Sequence, residues 1–279
     1  MAGRPIRYYF GRLNVLGNYK NKREFLLKGL QTGLLIEHRQ YNWGFFDVSE
    51  LNTEFGGFIH GYLVKYHPMI EEEVVVPETH RLTDTTVPNR VIAKSRFFLH
   101  IESGLLAYHP ISISIENSEF CDRFVELLEE NHGGFFVNAD IQAIEDEYKI
   151  FEAIRRFQSI SRVAISLHPS NPSNRDVWKK YDERFKQMRV GSFKEEYESK
   201  QNGDGLNVVD DEEVTGKISM ADDGYGRADV TGNIDGETKT ISTKDNPITA
   251  SAPGDDQAPE SVFESLATPF RNIFRRFFQ

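Results

Sequence analysis

Cysteine is nearly absent. The 279 residues hold one, Cys121, which excludes an intramolecular disulfide and a cysteine-built zinc cage. No run of 18 apolar residues occurs, so the chain has no transmembrane helix of its own. The first residues, MAGRPIRYYFGRL, lack the apolar stretch of a secretory signal, and a cytoplasmic protein is expected. The eight His are scattered, with neither an HxxxH nor an HExxH spacing, so no metal and no cofactor is expected. Neither a nucleophile elbow nor a GK[ST] phosphate loop is present; Gly224-Tyr225-Gly226, within MADDGYG, reads instead as a turn that needs positive φ.

Against these absences stand 21 Phe, 11 Tyr and a hydrophobic share of 39%, enough for a sizeable core and too much for wholesale disorder. The net charge is −10, so the chain as a whole is not a basic nucleic-acid coat. The sign is unevenly spread, however. Between Arg155 and Lys194 ten Lys and Arg stand against three Asp and Glu. Such a patch can hold a polyanion even on an acidic molecule, because screening limits electrostatic reach to about 10 Å.

Periodicity divides the chain into four stretches. Residues 1–115 predict a mixed sheet: a strand over 6–16, a helix over 21–30 ended by Gly33, and strands over 34–39 and 43–48 about a Tyr41-Asn42 turn. A strand over 58–66 follows, then a hairpin of 87–101 and 105–113 turning at Glu102-Ser103-Gly104. Residues 116–245 predict helices over 117–131 and 146–157, a short strand over 135–141, and an apolar, hence central, strand over 160–167. A helix from about 174 to 188, capped by Ser173 or Asn174, comes next. Short strands over 207–209, 217–220, 227–230 and 239–242 then make a β-rich closing segment. Residues 246–260 predict a linker, and 261–279 an amphipathic tail. The expected fold is α+β: a mixed, largely antiparallel sheet with helices packed on one side and a flexible C-terminal tail.

Two stretches carry candidate binding chemistry. Arg155, Arg156 and Arg162 lie before and on one strand, and Arg175, Lys179, Lys180, Lys186 and Arg189 line the helix that follows. The loop residues Asn171 and Asn174 add donors at that helix's N-terminus, where anions bind readily. Trp178, Tyr181 and Phe185 fall on another helix face, so a cationic face is expected to meet phosphate while the aromatic one packs. The plainer alternative is a solvated charged helix. In the tail, Phe270, Ile273, Phe274, Phe277 and Phe278 form an apolar stripe backed by Arg271, Arg275 and Arg276. It is expected to dock on a second protein or a membrane-associated partner; the alternative is that it folds back on its own core. Asp140, Glu145, Asp146 and Glu147 read as helix-start charges or, alternatively, as part of a Mg²⁺ nuclease site that lacks its ExK strand.

The run SRFFLHIESGLLAYHPISISIENSEFCDRFVELL, followed by FFVNADIQAI, SRVAISLHPSNPSN and a charged helix, resembles a family of uncharacterised bacterial proteins found among phage-defence genes. Its layout over residues 95–201 is similar to that of the Rex A phage-exclusion proteins. The resemblance implies action on DNA in phage defence or exclusion and carries no catalytic residue over. The sequence therefore predicts a non-enzymatic, double-stranded-DNA-binding protein. A metal-dependent nuclease-like effector, or an adaptor recruiting a membrane-associated partner through its tail, stands as the alternative. A homo-oligomer stays open.

Overall fold

The computed structural model describes residues 5–17, 21–134, 137–146, 149–170, 175–200, 204–254 and 257–276. The chain builds two antiparallel sheets with helices against them, an α+β fold. The larger sheet contains β1 (Ile6–Gly17), β2 (Ile36–His38), β3 (Tyr41–Thr53), β4 (Gly56–Val76), β5 (Arg81–His100), β6 (Leu105–Tyr108), β7 (Val137–Ala143) and β12 (Thr249–Ala252). Its order is β12-β1-β6-β5-β4-β3-β2, with β7 also paired to β1. The smaller sheet contains β8 (Ser159–Leu167), β9 (Phe193–Glu198), β10 (Gly226–Ile234) and β11 (Glu237–Ser242), in the order β11-β10-β8-β9. β8 is interior to it, as its apolar run requires.

Alternation along the strands gives the larger sheet two apolar faces. On one face Trp43, Phe45, Phe97 and Leu99 meet α1 (Lys22–Gln31) and α2 (Asn117–Asn131) through Leu26, Leu30, Phe120, Phe124, Leu127 and Leu128. The other face presents Tyr8, Phe10, Phe58 and Phe98, and α6 (Pro259–Arg275) lies over it. Phe270 contacts Phe10 and Phe58 at ring separations of 5.1 and 5.0 Å, and Phe263 contacts Phe58 at 4.7 Å. The inner residues of the smaller sheet join this second cluster, with α3 (Lys149–Ile154), α4 (Asp176–Gln187) and α5 (Glu212–Met220).

Three expectations fail here, each for a physical reason. Neither 207–209 nor 217–220 is a strand: the first is irregular and the second is the end of α5. The Asp211 carboxylate caps that helix, accepting from the Glu213 and Val214 amides at 2.9 Å, and Val214 and Ile218, four apart, face the core. The supposed linker contains β12, which pairs with Ile6–Tyr9; small Thr, Ser and Ala side chains suit an edge strand crowded by α6. The tail is not free. α6 runs through Pro269, and Phe270 and Ile273 are fully buried while Phe274 is 8% exposed. The stripe packs because an aromatic sheet face would otherwise lie open, and each Phe it buries is worth about 1.5–3 kcal/mol.

β4 and β5 outrun their neighbours. Pairing of β3 with β4 ends at Tyr66, and β6 pairs only with Phe97–Leu99 of β5. The β4–β5 ladder nevertheless continues to Val76 and Arg81. The outer half is therefore a two-stranded arm leaving the body.

Candidate interaction surfaces

The structure disperses the basic stretch. Arg155 and Arg156 are exposed in the turn after α3, before β8 begins; α4 follows the far end of that strand, roughly 27 Å on at the usual rise per residue. Arg162 is paired across the ladder to Glu196. Arg175 turns inward at the start of α4, its Nη1 3.2 Å from both carboxylate oxygens of Asp223. Lys186 lies 2.7 Å from buried Asp182 and donates to Ser170 Oγ at 2.9 Å. Lys179, Lys180 and Arg189 remain exposed. Even there Asp176 and Glu183 fall between the two lysines at 100° per residue, so the outer face of α4 is mixed in sign. Asn171 and Asn174 lie outside the described residues, as do Phe277 and Phe278 of the tail.

The MADDGYG stretch organises the junction between the sheets. Ala221–Tyr225 forms a π-helical turn after α5, and Gly224 takes φ 85°. A β-carbon at Gly224 would stand 2.9 Å from Arg12 Cβ, so glycine is required on both counts. Buried Asp223 accepts from Trp178 Nε1 at 2.7 Å, besides its Arg175 contact, and its backbone oxygen accepts from Arg12 Nε at 2.9 Å. Asn14 Nδ2 donates to the Gly224 carbonyl at 2.9 Å, and the Arg12 guanidinium lies 4.2 Å from the Tyr225 ring. Arg276, just past α6, donates to the Glu145 carbonyl at 2.8 Å and lies 3.9 Å from Asp223. Strand β1, the residues after β7, helix α4 and the end of α6 thus meet on one buried polar knot.

Two carboxyl groups in that knot are under-satisfied. Asp222 Oδ1 and Glu145 Oε2 have no hydrogen-bond partner among the described residues, and the two side chains are 4% and 0% exposed. Burial, then the negative charges of Asp223 and Glu145, push the Asp222 carboxyl up to about 8. Burial likewise raises Glu145. Asp140, the other half of the supposed nuclease pair, sits elsewhere: its carboxylate is 3.2 Å from His168 Nε2 and accepts from Gln142 at 2.6 Å. The structure does not bring Asp140 and Glu145 together, and among the described residues no three His, Cys, Asp or Glu are placed to hold a metal ion.

A groove that sequence reasoning missed lies where α6 stops covering the larger sheet. Arg96 marks the border, donating to the Gln257 carbonyl at 3.0 Å and to Tyr62 Oη at 2.9 Å. Beyond it, Phe46, Tyr62, Val64, Tyr66 and Lys94 continue the same sheet face, and Leu35, Asn89 and Val91 close the sides around about 620 Å³. Phe46 and Tyr62 are directly paired across β3 and β4. Lys94 Nζ lies 4.7 Å from the Tyr62 ring. Phe46, Leu35 and Val91 are 40, 44 and 57% exposed, an unusual open cluster of large apolar groups. The signal was present in WGFF and GYLVKY, where both faces of one strand are apolar although a sheet face turned to water would be polar.

No curated protein matches the chain. Residues 6–268, from the first strand into α6, match the DUF4747 family profile, described as a domain of unknown function. That span takes in both sheets and β12, and on it the chain belongs to the DUF4747 family.

Proposed function

We propose that this chain is an adaptor: it binds another protein in the groove on its larger sheet, beside the β4–β5 arm. The observation that carries the reading is the groove whose floor holds Tyr62 and buried Tyr66 and whose exposed rim is Phe46, Leu35 and Val91, continuous with the face that α6 covers. Large aromatic groups set on a rigid sheet lose little conformational entropy on binding and are favoured as interface anchors. Ordinary surfaces of single chains seldom leave such a cluster uncovered. The tail is not given this role because Phe270, Ile273 and Phe274 of its stripe are core. A photo-crosslinking residue at Val91, introduced in the cell that makes the protein, tests the reading. A discrete protein adduct that disappears with Phe46→Ser is expected. An adduct to nucleic acid, or none from the folded variant, overturns it.

A second reading keeps nucleic-acid binding, in the phage-exclusion setting that the resemblance implies. Exposed Lys179, Lys180 and Arg189 favour it, since cations on a rigid helix release counterions when they meet phosphate. Lys179→Glu with Lys180→Glu should then weaken binding to every DNA sequence and flatten the salt dependence. Unchanged affinity removes this reading.

A further inference from the structure

The arm leaves the body beyond Tyr66 and Val91, and among the described residues no third strand pairs with its outer part. Eight residue pairs, Met69 with Pro88 through Val76 with Arg81, extend it by about 27 Å. Among the described residues neither strand has a second neighbour there, so both edges present free backbone donors and acceptors. Met69, Val75 and Leu82 are 60 to 66% exposed. A two-stranded ribbon is marginal in water by itself, and an exposed apolar edge invites pairing with another strand.

The charge says which kind of strand. From His67 to Val91 five acidic residues stand against two arginines, and no lysine, the usual guard of an edge, occurs. Glu73 stands directly opposite Asp84, and Glu71 follows on the same face of β4, so the like charges repel in the free arm. Arg90 pairs with Glu72 on the opposite face. Two arms laid side by side would bring glutamate rows together, which disfavours a second copy of this chain. A cationic strand would relieve the repulsion and satisfy the edge at once.

We infer that the free edge of β4, Met69–Val76, receives an extended basic segment of another protein, which adds to the arm as a further strand. Main-chain hydrogen bonds would hold it, its lysine or arginine side chains meeting Glu71 and Glu73 on one face and its apolar ones meeting Ile70, Val74 and Val76 on the other. This rests on the adaptor reading and names the chemistry of its partner.

Fluorescence anisotropy on the full chain tests it with labelled twelve-residue peptides. Alternating lysine–valine is the probe, lysine–proline of equal charge cannot form a ladder, and glutamate–valine has the wrong sign. The lysine–valine peptide should bind at least tenfold more tightly than either other peptide. Glu71→Lys with Glu73→Lys should weaken it at least tenfold. Asp204→Lys with Asp210→Lys, the same charge change on exposed residues elsewhere, should not. Equal binding of lysine–proline, or equal loss from the two double variants, overturns the inference, since charge alone would then explain it. The arm lies outside both cores, so circular dichroism of these variants should match the parent. If the inference fails while the Phe46-dependent adduct at Val91 persists, only the partner's chemistry is wrong. If the adduct is lost as well, the adaptor reading falls with it.

Discussion

Asp222 should make the protein less stable as pH rises, and replacing it by asparagine should remove that dependence. The carboxyl is 4% exposed and faces Asp223, Glu145, Arg276 and Arg175. Its ordinary value is 3.8, and the fold pushes it up to about 8. An acid raised in this way binds its proton more tightly when folded. The two states are therefore equal below about pH 4, folding loses about 1.4 kcal/mol per pH unit above that, and the loss levels off above about pH 8. The full excursion is about 6 kcal/mol, much of a typical domain's stability. Asp222→Asn keeps the shape and cannot ionise. Urea unfolding followed by circular dichroism from pH 5 to 9 should show the variant gaining on the parent by about 1.4 kcal/mol per unit up to pH 8. His168, raised chiefly by its hydrogen bond to Asp140, and Glu145 and Asp223, raised chiefly by burial, also lower stability as pH rises, but they are present in both proteins. A gap between the two proteins that does not change with pH would mean that the fold does not hold the Asp222 carboxyl protonated.

Other outcomes follow from the same contacts. Phe270→Ala should cost about 3–5 kcal/mol in thermal or urea unfolding, because its ring is fully buried among Phe10, Phe58 and Phe263, and removing residues 259–276 should abolish cooperative folding. Gly224→Ala should destabilise by more than about 1 kcal/mol, combining positive φ with a 2.9 Å approach to Arg12. Trp178→Phe should cost at least about 1–3 kcal/mol by leaving buried Asp223 without that donor, and the smaller ring adds the cost of a cavity at a fully buried site. Lys179→Glu, on an exposed helix face, should leave the unfolding midpoint within experimental error.

What the sequence made legible follows from how local the cause was. The α2 helix was read to the residue, because its apolar spacing and the glycines after it are contained within the segment. The hairpin turn at Glu102-Ser103-Gly104 was read too, and Gly104 takes φ 74° there. β12 was missed because Thr, Ser and Ala carry little apolar signal; its strand identity comes from β1, more than 230 residues away in sequence. The length of β4 was underread, since Glu71-Glu72-Glu73 breaks the alternation that marks a half-buried strand. Amphipathicity in α6 was seen, but a stripe does not say which chain covers it; the answer lay in Phe10, Phe58 and Phe98 on three separate strands. The basic stretch misled for a related reason. Charge counted over that stretch ignores Asp223 and Glu196, which the fold brings to Arg175 and Arg162, and does not tell that Asp182 within it is buried against Lys186. The groove needed the end of α6 to define it, and no local pattern contains that end.

The most direct measurement sets the two kinds of ligand side by side. The purified full chain is titrated with the labelled lysine–valine peptide and with single- and double-stranded DNA, at 50 and 200 mM salt, using the parent, the Glu71→Lys/Glu73→Lys variant and the Lys179→Glu/Lys180→Glu variant. The expected result is peptide binding that the arm substitutions weaken and the α4 substitutions leave alone, with no DNA binding of comparable strength. Tight DNA binding that the α4 substitutions abolish, with no peptide binding to the arm, would overturn the adaptor role.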